Sequence, residues 1–278
     1  MQQPHSEPKK DLFMDEHPKI SACIIAYNEA AVIDDCLASL QWVDEIVVVD
    51  SGSSDGTARL AEEKGCQVIH QDFLGYVKQK EFAIRQARFR WVLCLDADER
   101  LLPGGREVVE KALHDDGGAV AGYFLPRKTF YLGRWIEHGG WWPEYRLRLF
   151  DRERGSWVGT DPHDRVEVDG ATCKLEAVIS HFNYRDISHH LEKANSYTSI
   201  MADRKTSAGE RASVAKMVFR PLGRFVRMYL LKQGFRDGVP GFIVAVIGAF
   251  YVFLKYAKLW ELQRITTRQG EGRPQQSV

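Results

Sequence analysis

The sequence predicts an α/β fold, a mostly parallel sheet flanked by helices, followed by a helical C-terminal region. Three observations predict it. Short apolar runs alternate with amphipathic stretches through the first hundred or so residues. Both acidic motifs of that half stand directly after such a run, and from about Ser188 the chain turns helical to its end. A length of 278 residues with 44% hydrophobic content suits one large domain with an appendage.

Ile20 to Ala26 is the first run and reads as a buried strand. Ala30 to Leu40 carries Val32, Ile33, Leu37 and Leu40 at helical spacing, with Asn28 as its candidate N-cap. Glu45 to Asp50 is a second buried strand, ending in an acid. Ser51 to Gly56 is a turn, Thr57 to Lys64 a helix closed by Gly65, and Cys66 to His70 a third strand. Lys78 to Arg88 is helical. Trp91 to Leu95 is a fourth strand running into Asp96-Ala97-Asp98-Glu99. Strands and helices at this spacing form βαβ units, whose sheets bind ligands at the carboxyl ends of their strands. Residues 119–185 mix aromatics, glycines and acids, and read as further strands and loops over a cleft. His189 and His190 read as helix surface.

Lys plus Arg and Asp plus Glu each number 38, and a net charge of zero speaks against a dedicated nucleic-acid binder. Residues 204–268 hold thirteen basic residues against three acids, leaving residues 1–203 equally acidic. That asymmetry points to an anionic surface as partner of the C-terminal part. The five cysteines are odd in number and lack a CxxC spacing, so they read as reduced thiols. Residues 1–18 are polar and read as a disordered lead-in, not a signal peptide.

Asp96-Ala97-Asp98 is the sharpest chemical feature. Two carboxylates at a strand end can converge on one hard cation, Mg²⁺ or Mn²⁺, which shares its shell with substrate phosphates. By itself the motif also fits a solvated turn. Asp50-Ser51-Gly52-Ser53-Ser54-Asp55-Gly56 can hydrogen-bond a base or ribose, or simply cap the next helix.

Taken with Ile24-Ile25-Ala26-Tyr27-Asn28-Glu29, these two motifs resemble, in order and spacing, the inverting family 2 glycosyltransferases of the Rossmann-like GT-A fold. Gly75-Tyr76-Val77-Lys78-Gln79-Lys80, Arg146-Leu147-Arg148-Leu149-Phe150 and Phe235-Arg236-Asp237-Gly238 extend the resemblance. It is nearest to the β-glucosyltransferase-like branch acting in lipopolysaccharide core assembly, and it spans about residues 20–262. The resemblance implies a nucleotide-sugar donor, a UDP-sugar, held by Ala26, Tyr27, Glu29, Asp50 and Asp96. It also implies a metal on Asp98, with Asp96 reaching the ribose or the metal. Two positions depart from the family pattern: Ser51 replaces a second acid, and Glu81 stands where an Asn is common.

Inversion needs a general base on the acceptor hydroxyl. Within Thr160-Asp161-Pro162-His163-Asp164-Arg165, which resembles the branch's His-acid pair, Asp164 is the candidate and Asp161 its rival, although Asp161-Pro162 reads first as a turn initiator. His163 would orient Asp164 or touch phosphate. His181 is a third candidate metal ligand or a satisfied core histidine. Trp135, Trp141, Trp142, Tyr145 and Trp157 offer faces for stacking on sugars, or for core packing. Arg146 and Arg148 share one strand face and could clamp an anionic acceptor, or form a salt-bridged face.

Ser213 to Phe235 is a basic amphipathic stretch that Pro221 could interrupt, and Val239 to Leu254 is apolar throughout. Shallow or re-entrant insertion is the first expectation for the apolar stretch, a span the second, and a dimer or core helix the third. The resulting division is a lead-in (1–18), a catalytic domain (19–203), a membrane-associating region (204–268) and a tail (269–278). The basic flanks place the protein on the cytoplasmic face of the inner membrane, peripheral or shallowly inserted, with a lipid-linked or lipopolysaccharide acceptor and self-association left open. The rival readings are a transferase acting on polyprenyl phosphate, a membrane-docked sugar-binding scaffold, and a sugar-nucleotide pyrophosphorylase. The last would want a Gly-rich basic loop after the first strand, which Ala26-Tyr27-Asn28-Glu29 is not.

Overall fold

A computed structural model describes residues 18–161 and 163–271. The expected lead-in over 1–18 lies outside them except for Pro18, and the tail over 269–278 except for its first three positions.

The N-terminal half is built as the apolar runs require. β1 (Ile20–Ala26) lies between two parallel partners, β2 (Glu45–Asp50) and β4 (Trp91–Asp96), and β3 (Gln67–His70) flanks β2. A strand with neighbours on both sides and helices over both faces has no solvated face, so it carries no alternation. The register sets Ala26 beside Asp50 and Ile25 beside Asp96, which brings both acidic motifs to the end of β1. The helices are α1 (Ile33–Ala38), α2 (Thr57–Glu63) and α3 (Tyr76–Gln86). α1 is shorter than the spacing suggested, because residues 39–44 turn before β2. Asn28 is not its cap: it adopts φ 55° and its side chain serves another loop, as described below.

The remaining sheet is mixed. After β5 (Glu99–Leu101) and α4 (Gly105–Asp115), β6 (Val120–Tyr131) enters, edged by the short β7 (Arg134–Ile136). β8 (Glu144–Asp151) runs antiparallel to both β4 and β6. β9 (Gly155–Thr160) and β10 (His163–Val168) form a separate hairpin. β11 (Ala171–Lys174) pairs with β6, and β12 (Ile179–His181) lies between β6 and β5. The order is β3-β2-β1-β4-β8-β6-β12-β5. Two apolar layers sandwich the sheet, one around Ile24, Leu37 and Leu93 and the other around Val49, Cys94 and Phe150.

Three helices close the chain. α5 (Ile187–Ser207) is capped by Asp186, whose side chain accepts from the His189 N–H at 2.7 Å. α6 (Val214–Phe225) is capped by Ser213, and Pro221 sits inside it without ending it. A wide turn of π type over Val226–Leu231 and a tight one over Gly234–Asp237 reverse the chain. α7 then runs unbroken over Gly238–Glu271.

Candidate active site

A cleft of about 1090 Å³ opens at the carboxyl ends of β1 and β4, as sheets of this kind require. Ala26, Tyr27, Glu29, Asp96, Asp98, Arg146, Arg148, Asp164 and His181 all line it. Asp50, Trp141 and Trp142 are not among its lining residues.

Asp50, at the end of β2, shapes the cleft instead of lining it. Asp50 is buried, and its carboxylate accepts from the backbone N–H of Gly52 and Ser53, each at 2.9 Å, and from the Ser53 hydroxyl. Asp55 accepts from Ala30 N–H, Thr57 Oγ1 from Glu29 N–H, and Ser53 Oγ from Asn28 N–H, while Asn28 Oδ1 accepts from Ser54 N–H. The two loops are thereby laced together, which holds Tyr27 and Glu29 at the lip. Ser51 faces the cleft, and its hydroxyl accepts from Gln79 Nε2 at 3.1 Å.

An alternating chain of charges forms the floor. Lys80 Nζ bridges Asp164 Oδ2 at 2.8 Å and Asp96 Oδ1 at 2.7 Å. Arg148 Nη2 bridges Asp96 Oδ2 and Glu99 Oε1, each at 2.8 Å. Arg127 links Glu99 at 3.0 Å to Glu144 at 2.6 Å, and Arg146 ends the chain on Glu144. Four carboxylates meet four cations, so the array, buried except toward its Arg146 end, is neutral. Burial alone would raise the Asp96 carboxyl, but Arg148 and Lys80 outweigh it and hold Asp96 well below the usual carboxylate range. Lys80 also lies over the Trp157 ring, 4.6 Å from its centroid.

Asp98 stands apart from this array. His181 Nε2 is 3.6 Å from Asp98 Oδ2, too long for a hydrogen bond. Burial would raise Asp98, and His181 more than offsets that. Glu29 is pushed up to about 6, first by burial and then by Asp98. Lys193 of α5 enters the same corner and donates to the Asn183 carbonyl at 3.0 Å; burial lowers its pKa, with Asp98 and Glu29 opposing. Among the described residues no three His, Cys, Asp or Glu side chains converge as a metal cluster.

The other candidates have distinct settings. Arg146 is exposed at the rim, whereas Arg148 is 3% exposed with its charge spent on Asp96 and Glu99. Asp161 accepts from Val77 N–H at 3.1 Å against the N-terminus of α3, and a Cβ at Gly75 would collide with its carboxylate. Pro162 and the His163 side chain lie outside the described residues. Tyr145 and Trp157 line the cleft, but Trp141 packs with Tyr131 and Tyr184 in a separate apolar cluster. Trp142 carries Lys128 over its ring, and Trp135 packs on Phe130 and Phe182. His190 is not on the helix surface. It is 6% exposed, stacks on Tyr184 at 4.0 Å, is hydrogen-bonded through Nδ1 to Tyr131 Oη at 2.9 Å, and is lowered to about 4 by burial and then by His189.

Lys80 and Glu99 stand in the motifs named above without a role assigned to them, and Arg127 and Lys193 are site residues that motif reading passed over. One signal was present: Val77, Lys80, Ala83, Ile84 and Ala87 share one face of α3, so a lysine occupies an otherwise apolar stripe.

The model of the family described as glycosyl transferase family 2 matches residues 21–166, the segment that carries β1 to β10. The chain belongs to that family. Over 90% of this chain and 94% of its own length, the lipopolysaccharide core biosynthesis glycosyltransferase LpsC of Rhizobium meliloti is 32% identical. An uncharacterized glycosyltransferase of Rickettsia typhi is 32% identical over 88% of this chain and 87% of its own. Among solved structures, the mannosyltransferase PcManGT of Pyrobaculum calidifontis, in complex with GDP-Man and Mn²⁺, superposes with a TM-score of 0.53. That match covers 88% of each chain at 15% identity. The expected GT-A fold is therefore the observed one, and this family 2 member is a glycosyltransferase with a homologue in lipopolysaccharide core biosynthesis.

Proposed function

We propose that this glycosyltransferase moves a sugar, with inversion, from a UDP-sugar to a hydroxyl of a membrane-borne saccharide such as a lipopolysaccharide core precursor. The observation that carries the reading is Asp164, held by Lys80 in the same cleft as Ala26, Tyr27, Glu29 and Asp98. The Lys80 ammonium fixes Oδ2, leaving Oδ1 to take the acceptor proton as that hydroxyl attacks the anomeric carbon. Ala26, Tyr27, Glu29 and Ser51 hold the nucleotide, and Asp50 acts by shaping their loop. Arg146 at the exposed rim suits an anionic acceptor, whereas Arg148 keeps Asp96 in place.

Asp98 and His181 fit a divalent cation. A carboxylate oxygen and an imidazole nitrogen 3.6 Å apart are not hydrogen-bonded, yet can share an ion whose other ligands are donor phosphates and water. Asp96 does not fit as a ligand, because Lys80 and Arg148 occupy both of its oxygens. Bound Mg²⁺ or Mn²⁺ supplies positive charge against the departing diphosphate. A membrane-borne acceptor and a nucleotide donor set the protein at the cytoplasmic face of the inner membrane.

Thermal unfolding with UDP, GDP or CDP, with and without Mn²⁺, tests the reading beside Asp98→Ala. UDP should stabilise only with metal, by about 2.7 kcal/mol at a hundred times its dissociation constant, and the variant should lose the effect. Failure of every nucleotide to shift the transition, with any metal, would overturn the proposal.

A further inference from the structure

By length and composition Gly234–Ile265 could cross a bilayer, and its most apolar 18-residue stretch has a mean hydropathy of 1.9. The packing around it argues otherwise. At its start, Asp237 is fully buried against the catalytic domain, accepting from His138 N–H at 2.8 Å and His138 Nδ1 at 3.0 Å. The Lys232 carbonyl beside it accepts from Gly139 N–H at 2.8 Å. Near its other end, Lys258 Nζ donates to Asn195, Thr198 and Ser199 of α5 within 2.9 Å, and Tyr256 and Leu259 are buried. Both ends of the apolar stretch are therefore strapped to one globular body, and α7 lies along that body. A spanning α7 would also carry α6 into hydrocarbon, and with it Arg220, Arg224 and Arg227, none of which is ion-paired with a carboxylate among the described residues.

The outer face is apolar. On α7, Val239, Phe242, Val246, Phe250, Phe253 and Trp260 are exposed and fall three, four or seven residues apart, one helical stripe. On α6 and the wide turn, Val218, Phe219, Leu222, Val226 and Leu230 form a second exposed stripe. Phe242 meets Phe225 and Tyr229 across the pair, which joins the two stripes. Cations flank this face: Arg220, Lys216, Lys205 and Lys255 surround the Tyr256 ring at 5.2 to 5.9 Å, and Glu210 pairs with Lys205 and Lys216.

We propose that α6 and α7 form an in-plane platform that lays this apolar face into the surface of an anionic bilayer, with the flanking Lys and Arg on lipid phosphates. Charge complementarity selects the occupant, because a second copy of this chain would set like-charged rims against each other. The inference stands whether or not the reaction above is correct, and its test uses no activity.

Full-length protein is sedimented with vesicles of phosphatidylcholine alone or mixed with phosphatidylglycerol. Binding should require the anionic lipid and weaken with salt. The triple variant Phe219→Glu, Leu222→Glu, Phe253→Glu, all at exposed positions, should bind about a hundredfold more weakly with an unchanged melting temperature. In a Cys66→Ser, Cys173→Ser background, which leaves only the buried Cys23, Cys36 and Cys94, cysteines introduced one at a time at Gln233 and Glu261 should both react with a membrane-impermeant maleimide added outside reconstituted vesicles. Reaction of only one would establish a span. Absence of vesicle binding, together with a dimer that the triple variant dissolves, would give the face to a second copy. Either result overturns the platform.

Discussion

Arg148→Met separates the two readings of Arg148, acceptor clamp or buried hold. Arg148 is 3% exposed, and its guanidinium bonds Asp96 and Glu99 at 2.8 Å each. Removing it leaves the floor with four carboxylates and three cations, although Asp96 keeps Lys80 and Glu99 keeps Arg127. Loss of one partner from a buried ion pair costs roughly 3–5 kcal/mol. For a chain of this size that lowers the melting temperature by about 6–10 °C. The sign of the pH dependence follows from Asp96, whose folded-state pKa Arg148 and Lys80 depress. Its contribution is present above the unfolded value of about 3.9 and is lost as pH falls toward the folded one. The gap between parent and variant should therefore be widest near neutral pH and narrow below about pH 4. Calorimetry across that range is the assay. An unchanged melting temperature with a raised acceptor KM would refute the buried-hold reasoning and restore Arg148 as an acceptor contact.

Three further outcomes are expected. Lys80→Met should lower kcat about a hundredfold or more, because Asp164 loses its holding cation, and Lys80→Arg should recover part of it; kcat within twofold of the parent would remove Asp164 as the base. Asp164→Asn should abolish transfer to a saccharide hydroxyl, whereas retention of most activity would favour a polyprenyl phosphate acceptor, which is already ionised and needs little base catalysis. Glu29 holds its proton more tightly folded, at about 6 against an ordinary 4.5, so stability falls as pH rises through that window. Glu29→Gln should match the parent below about pH 4.5 and melt higher above pH 6, and a constant difference across the range would point to packing instead.

The sequence alone determined the sheet's parallel half and the location of the cleft. Runs such as Cys23-Ile24-Ile25 and Val47-Val48-Val49 are apolar on both faces because their strands are covered on both, and an acid after such a run must emerge at the sheet's ligand edge. It also identified Asp98, Asp164 and His181 as candidates, which the fold gathers in one cleft. Side-chain partners were beyond it, because they join residues far apart in the chain. Asp50 spends its carboxylate on its own turn, Arg148 on Asp96 and Glu99, and Trp141 on an apolar cluster, where the sequence had left a ligand contact and a structural role open for each. Lys80 became legible only once α3 had been laid against β9 and β10, where an ammonium between two carboxylates offsets the cost of its burial. The same holds for α7. Its hydropathy permits a span, and only the straps at Asp237 and Lys258 show that it lies against the domain, because orientation is set by what both ends bind and not by the apolarity between them.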